Sequence, residues 1–246
     1  MNRITYLSLF VIFFALSTFT VHSQVASAYS LGIFGNANMD DTIDEDDIEY
    51  VRGIISGTNE ATELADANYD GRVDKDDIIQ IELIIAGEDK EITIKDTAYA
   101  DATSRTVTVK KPIKRIIALN PYVPELIRSF KVDKDIIVGI CDNIAEEDTF
   151  YPEFSKFPNV GKATKPDYEA ILSLNPDLVI GYTRAAPEHA EMLPSIPVVA
   201  FDFYVAGNHI DEAKKLGYLL NKKDEADEYI DFYEGILNTI AENVDK

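Results

Sequence analysis

Short apolar runs separated by helical stretches dominate the second half of the chain. Each run is about five residues long and rich in Ile, Val and Leu, which is typical of a strand buried on both faces. Because such strands alternate with stretches of helical period, the pattern predicts a parallel sheet flanked by helices, an α/β fold. The predicted strands are residues 115–119, 136–140, 177–181 and 196–200, and the predicted helices are 122–131, 167–174 and 186–193.

Two other patterns flank this segment. Residues 92–96 and 105–109 alternate apolar and polar positions, which predicts a β-hairpin. Residues 208–246 are polar-rich and carry two apolar stripes of helical period, which predicts one or two helices. A coiled coil is an alternative for the second stripe, although that stripe is short for one.

The first half of the chain contains a repeat at an offset of 30 residues. Loops 36–47 and 66–77 each place Asp or Asn at positions 1, 3, 5 and 9, an apolar residue at 8 and Asp at 12. In an EF-hand-type loop this spacing directs oxygen ligands at one hard cation, and position 7 supplies its backbone carbonyl. The predicted ligands are Asn36, Asn38, Asp40, Thr42, Asp44 and Asp47 in the first loop, and Asp66, Asn68, Asp70, Arg72, Asp74 and Asp77 in the second.

We therefore predict that the repeat binds two Ca²⁺ ions. Residues 33–91 hold 18 Asp and Glu against 4 Lys and Arg, a net charge of −14 that two such ions would reduce to −10. Without calcium this segment is expected to be largely unfolded, because metal binding contributes to its folding free energy. The alternative is a pair of Asx-rich turns that cap helices, which two copies in register make improbable.

A helix-period apolar stripe follows each loop and ends at a glycine, Gly57 or Gly87. This loop–helix unit, repeated twice with Asp at position 12, resembles the dockerin module, and we place a small all-α domain at residues 32–91. The resemblance implies docking onto a cohesin module of a scaffold or cell-surface protein. In that family loop positions 10 and 11 carry much of the partner choice, and a solvated helix start is the alternative for them. Here these positions are Glu45, Asp46, Lys75 and Asp76.

Composition and the first residues limit the location and the ligand. A formal net charge of −21 argues against nucleic acid, whose binding depends on Lys and Arg. Residues 1–28 have a basic start, an apolar run and an Ala-Ser-Ala site, which predicts a secretory signal peptide. An uncleaved membrane anchor is the alternative. In either case we expect the remainder to be secreted and associated with the cell surface.

The α/β segment resembles the N-terminal lobe of iron-siderophore and cobalamin-type binding proteins of ABC transporters. It does so in the blocks RIIAL, IIVGI, FPNVGKATKPDYEAILSLNPDLVIGY and IPVVAFD. The resemblance implies an N-terminal lobe at 92–207 and helices at 208–246 that include the connector between two lobes. It also implies that the second lobe is absent from residues 92–246, so either the chain is a truncated binding protein or half of the cleft comes from another polypeptide.

Ligands of open α/β sheets bind at the carboxyl ends of the strands. Aromatic rings and one Arg there suit a chelated or ring-bearing ligand, although packing is the alternative role for the rings. The resemblance adds Thr164 to the cleft and implies that Glu169 docks onto the ABC permease. The residues that the strand-end rule selects are Asn120, Tyr122, Asp142, Asn143, Tyr182, Arg184, Phe203 and Tyr204.

The combined prediction is an extracellular binding protein for an iron chelate, siderophore or cobalamin-like ligand, tethered through a calcium-dependent dockerin–cohesin interaction. The alternative is a non-catalytic dockerin-bearing component of a cellulosome-like assembly. We do not expect an enzyme, since residues 92–246 show no Ser-His-Asp or Cys-His constellation and no distinct carboxylate pair.

Overall fold

The computed structural model describes residues 31–96, 104–205 and 207–244. The predicted signal segment, residues 1–28, lies outside these residues. In the described part of the chain, no helix combines the length and the apolar character needed to cross a bilayer.

The described strands form one central sheet and two small antiparallel pairs. The central sheet is parallel, with the spatial order β4-β3-β7-β8, and almost every side chain in it is buried, which confirms the predicted α/β fold. The predicted hairpin is also confirmed, as β1 paired with β2. The strands are β1 (Glu91–Lys95), β2 (Thr106–Lys110), β3 (Ile116–Ala118), β4 (Ile137–Ile140), β5 (Gly161–Lys162), β6 (Lys165–Pro166), β7 (Leu178–Tyr182) and β8 (Val198–Phe201).

The helices follow the predicted stripes, with two additions. One is a short helix after β4 and the other a 3₁₀ turn at Lys134–Ile136 before it. Both are too short to leave a periodic signal in the sequence. The helices are α1 (Glu45–Ser56), α2 (Lys75–Ala86), α3 (Tyr122–Ser129), α4 (Asp142–Ala145), α5 (Tyr168–Ser173), α6 (Ala186–Met192), α7 (His209–Leu219) and α8 (Lys223–Val244).

Helices α1 and α2 begin and end in the same way. Asp44 and Asp74 are their N-caps, and each forms a capping box with the Asp three residues later. Gly57 and Gly87 end the helices in the left-handed conformation, with φ of 78° and 66°. The repeat seen in the sequence is therefore a repeat of structure.

The loop–helix repeat and the α/β lobe share one hydrophobic core. Residues 31–34 run beside β1, where Ile33 forms an antiparallel bridge with Ile94. The Lys95 N–H donates to the carbonyl of Gly32 at 2.7 Å, and that of Phe34 donates to Thr93 at 3.0 Å. The boundary predicted at residue 91 therefore does not separate two independent cores.

Tyr218 of α7 makes two polar contacts at this junction. Its hydroxyl accepts a hydrogen bond from the backbone N–H of Ile43 at 3.1 Å. Its carbonyl accepts one from Nζ of Lys111 at 2.9 Å, and the same ammonium group pairs with Asp89 at 2.7 Å. Desolvation raises the pKa of Asp89 and lowers that of Lys111, while their mutual pairing opposes both shifts.

We expect Lys111→Met to lower the free energy of unfolding by about 3 kcal/mol, because it leaves the Asp89 carboxylate buried without its cation. Urea denaturation at pH 7 measures this change. Lys131→Met is the control, since it removes a solvent-exposed pair with Glu228 and should change stability little. The same urea midpoint for Lys111→Met and the wild type would contradict the prediction.

Candidate functional site

Three tyrosines form a face at the carboxyl ends of β3, β7 and β8. The hydroxyls of Tyr182 and Tyr204 lie 2.8 Å apart, and their rings are stacked with centroids at 5.5 Å. Tyr122, at the start of α3, meets Tyr204 edge-on at 5.0 Å. Tyr204 is 56% exposed. We call these three residues the tyrosine face; it brings together three side chains predicted at separate strand ends.

Two other predicted residues lie beneath this face. Asn120 is fully buried; its side-chain amide donates to the Phe201 carbonyl at 3.3 Å and accepts from the Tyr122 N–H at 3.1 Å. Phe203 is 3% exposed and packs against Tyr122 and His209. The structure therefore places both residues as supports of the tyrosine face and not on its surface.

A cavity of about 340 Å³ lies beside the tyrosine face. It brings together four predicted residues, Asp142, Asn143, Thr164 and Tyr182. Glu146 and Lys162 also line it and were missed by the sequence analysis, because α4 and the β5–β6 turn are too short to predict. Arg184 lies exposed in the turn after β7 and does not line this cavity.

Two phenols at this edge, those of Tyr182 and Tyr151, have a raised pKa. Burial, with the neighbouring Tyr204 hydroxyl second, raises the pKa of Tyr182 far above its usual range. Burial also raises the pKa of Tyr151 to about 12, and its hydroxyl donates to the Pro121 carbonyl at 2.9 Å. Tyr182 therefore presents ring surface and a neutral hydroxyl group.

Glu169, the predicted permease contact, is exposed in the first turn of α5. That helix begins at Asp167, whose side chain accepts from the Ala170 N–H at 3.0 Å. The carboxylate of Glu169 is therefore accessible to a partner.

The two predicted calcium loops have matching internal hydrogen bonds. In each loop the Asp at position 12 is fully buried and accepts from the N–H groups of positions 3 and 9, at 2.7–3.1 Å. The Asp at position 5 accepts from position 7 at 3.0 Å. Position 6 has a positive φ in both, 69° at Asp41 and 92° at Gly71, as a sharp turn requires. The loops therefore have one shared backbone form.

Position 1 differs between the loops. Asp66 accepts from the N–H groups of Asp70 and Gly71 at 3.0 and 2.8 Å. Asn36 is fully buried, and its Oδ1 has no hydrogen-bond partner. Burial raises the pKa of Asp47, at position 12 of the same loop, to about 6. An unpaired oxygen and a buried carboxylate fit a hard cation, which would satisfy both.

In residues 31–96, 104–205 and 207–244, no three His, Cys, Asp or Glu side chains cluster as a ready metal cage. In the two loops the carboxylates accept backbone N–H groups, as described above. Thr42 and Arg72 occupy position 7, where only the backbone carbonyl was expected to be a calcium ligand. The calcium ions therefore remain a prediction.

Helices α1 and α2 enclose an exposed groove of about 440 Å³. Its apolar lining includes Ile55 and Ile79, which are 44% and 52% exposed. The predicted cohesin contacts Glu45, Asp46, Lys75 and Asp76 are all exposed, and Lys75 lines the groove. Neither isoleucine was predicted to form a docking surface, although α2 is apolar around most of its circumference, which is typical of a helix that another element covers.

The parallel sheet, with a cavity and ring surface at its carboxyl edge, defines an α/β binding lobe. A model of the periplasmic binding protein family matches residues 116–246, more than half of the chain. The chain therefore belongs to the periplasmic binding protein family.

Individual relatives match a smaller part of the chain. The chain is 30% identical over 96 residues to YvrC of Bacillus subtilis strain 168, an uncharacterised ABC transporter substrate-binding lipoprotein, covering 39% of this chain and 29% of that protein. A periplasmic solute binding protein of Veillonella parvula superposes with a TM-score of 0.52 at 22% identity, covering 62% of this chain and 47% of that one. The petrobactin-binding protein YclQ of Bacillus subtilis superposes with a TM-score of 0.50 at 20% identity, covering 63% of this chain and 52% of that one.

These two structures support the fold alone. The chain spans about half the length of each of them and less than a third of YvrC.

Proposed function

We propose that this chain is an extracellular substrate-binding component of an ABC transporter that captures a metal chelate, either a ferric siderophore or a cobalamin-like ligand. The observation that carries the proposal is the tyrosine face beside a cavity at the carboxyl edge of the sheet. The names of two relatives agree with it: YvrC is a substrate-binding lipoprotein and YclQ binds petrobactin. Proteins of this kind capture substrates and do not convert them, so we propose no catalysis.

The chemistry of the cleft suits a bulky chelate. Stacked rings offer flat apolar surface to aromatic or macrocyclic parts of a ligand. One hydroxyl of the Tyr182–Tyr204 pair donates to the other, so the second keeps its hydrogen to donate to a chelate oxygen, and Lys162 adds a cation at the rim of the cavity. At about 340 Å³ the cavity lies at the lower end of the range for ligand pockets. Glu169 is then the proposed contact with the permease.

We further propose that the repeat is a dockerin-like module that binds two Ca²⁺ ions and docks onto a cohesin-bearing scaffold or cell-surface protein. The matching loops and the unpaired Oδ1 of Asn36 support the ions. The exposed groove between α1 and α2 supports a protein partner, since covering the exposed side chains of Ile55 and Ile79 would remove apolar surface from water. The groove equally favours a second candidate function, that of a non-catalytic component of an extracellular multi-protein assembly.

Tyr204→Ala is expected to weaken chelate binding about tenfold, because it removes half of the stacked pair. Isothermal titration with ferrioxamine B, ferric enterobactin and cyanocobalamin measures the affinities. Tyr69→Ala, which removes a half-exposed ring from the second calcium loop, is the matched control. Failure of all three chelates to bind the wild type would contradict the transport function.

Calcium titration of the chelator-stripped protein is expected to give two ions per chain. Asp40→Ala and Asp70→Ala, each at position 5 of one loop, should each remove one ion, because they delete an oxygen ligand. Glu49→Ala removes an exposed carboxylate outside the loops and should leave both ions bound. Calorimetry that detects no ion, or equal stoichiometry in all four proteins, would refute the calcium sites.

Ile79→Glu is expected to weaken calcium-dependent binding to a cohesin at least tenfold, because it places a charge in the apolar groove. Surface plasmon resonance against a panel of recombinant cohesin modules, with calcium and with chelator, provides the measurement. Ile85→Glu is the matched control, since Ile85 is exposed on the same helix but does not line this groove. If no cohesin binds the wild type with calcium present, the docking partner is of another kind.

A further inference from the structure

His189 is a fully buried histidine that connects three elements of the lobe. It lies on α6, its Nδ1 is 2.8 Å from the Tyr168 hydroxyl on α5, and its Nε2 is 2.9 Å from the Ala163 carbonyl between β5 and β6. The ring also packs beside the backbone of β7, since a Cβ on Gly181 would lie 3.7 Å from it. The side chain of His189 therefore bonds both α5 and the β5–β6 turn.

The two partners determine the tautomer of the ring. A carbonyl oxygen can only accept, so Nε2 of His189 carries the proton and donates to Ala163. Nδ1 is then unprotonated and accepts a hydrogen bond from the Tyr168 hydroxyl. Desolvation lowers the pKa of His189, so the ring is neutral at pH 7. Both ring nitrogens are satisfied, and the histidine acts as a fixed bridge.

The β5–β6 turn that His189 contacts is too short to be stable on its own. Strands β5 and β6 pair over only two residues each, Gly161 with Pro166 and Lys162 with Lys165. An isolated pair of this length is unstable in water. Yet Lys162, Ala163 and Thr164 from this turn line the cavity opposite Tyr182. Their placement therefore depends on contacts from outside the turn.

We propose that His189 is the positioning residue of the ligand cleft: by holding the Ala163 carbonyl it keeps Lys162 and Thr164 at the ligand cavity. The inference rests on the proposed chelate-binding function. Through Tyr168 the same ring fixes the turn relative to α5, the helix that carries Glu169. The cleft turn and the proposed permease contact are thus connected by two side-chain hydrogen bonds.

Amide hydrogen exchange in the ligand-free chain tests the mechanical part. His189→Phe keeps a ring but leaves the Ala163 carbonyl without its donor, so exchange of residues 161–166 should rise about tenfold. His189→Gln can donate to the same carbonyl and should restore slow exchange. His209→Gln changes a different buried histidine and should leave the turn unchanged. Equal acceleration in β3 and β7 would mean general destabilisation and would overturn the proposal.

Affinity for ferrioxamine B, ferric enterobactin and cyanocobalamin tests the functional part. At a temperature where all variants are folded, His189→Phe should weaken binding of whichever chelate binds by about five- to tenfold, and His189→Gln should bind nearly as the wild type does. Wild-type affinity in His189→Phe would overturn the inference. If no chelate binds the wild type but exchange of the turn still responds, the proposed function fails while the bridge to the turn stands.

Discussion

The structure depends on one buried junction at Tyr218. Its hydroxyl accepts from Ile43 in the first loop, and its carbonyl accepts from Lys111, which is paired with Asp89 at the end of the repeat. Because these groups are removed from water, each is costly to leave unpaired, and the repeat and the lobe stabilise one another. A cation bound in the first loop would therefore stabilise the α/β lobe as well as the loop.

Buried polar side chains also hold the cleft in place. The sheet brings the ends of β7 and β8 together, but Asn120 orients the start of α3 and His189 holds the β5–β6 turn. Both residues are buried and have polar partners on two sides. The surface that meets a ligand is thus formed by tyrosines and small polar side chains. The buried side chains of Asn120 and His189 determine the geometry of this surface, so it is preorganised before a ligand binds.

Periodicity predicted what is local, and it failed where contacts are distant. The strands and the two repeated loops could be predicted because each depends on residue spacing within one segment. The hydrogen bond from Ile43 to Tyr218 joins residues 175 positions apart, and no pattern of either segment indicates it. Likewise, Ile55 follows the apolar period of α1, although the structure leaves it 44% exposed. An apolar stripe indicates that one face of a helix is covered, but it does not indicate whether this chain or a partner covers it.

The shared core changes what docking through the repeat would do. A module joined by a flexible linker samples many orientations, and its reach follows from the linker length. Here residues 31–34 pair with β1, and α7 contacts the first loop, so within the described residues the groove and the cleft belong to one packed unit. On the proposed function, a partner bound between α1 and α2 would hold the tyrosine face in one orientation relative to itself. A change of charge or packing at the Tyr218 junction would therefore affect partner docking and ligand capture together, because the groove and the cleft share one core.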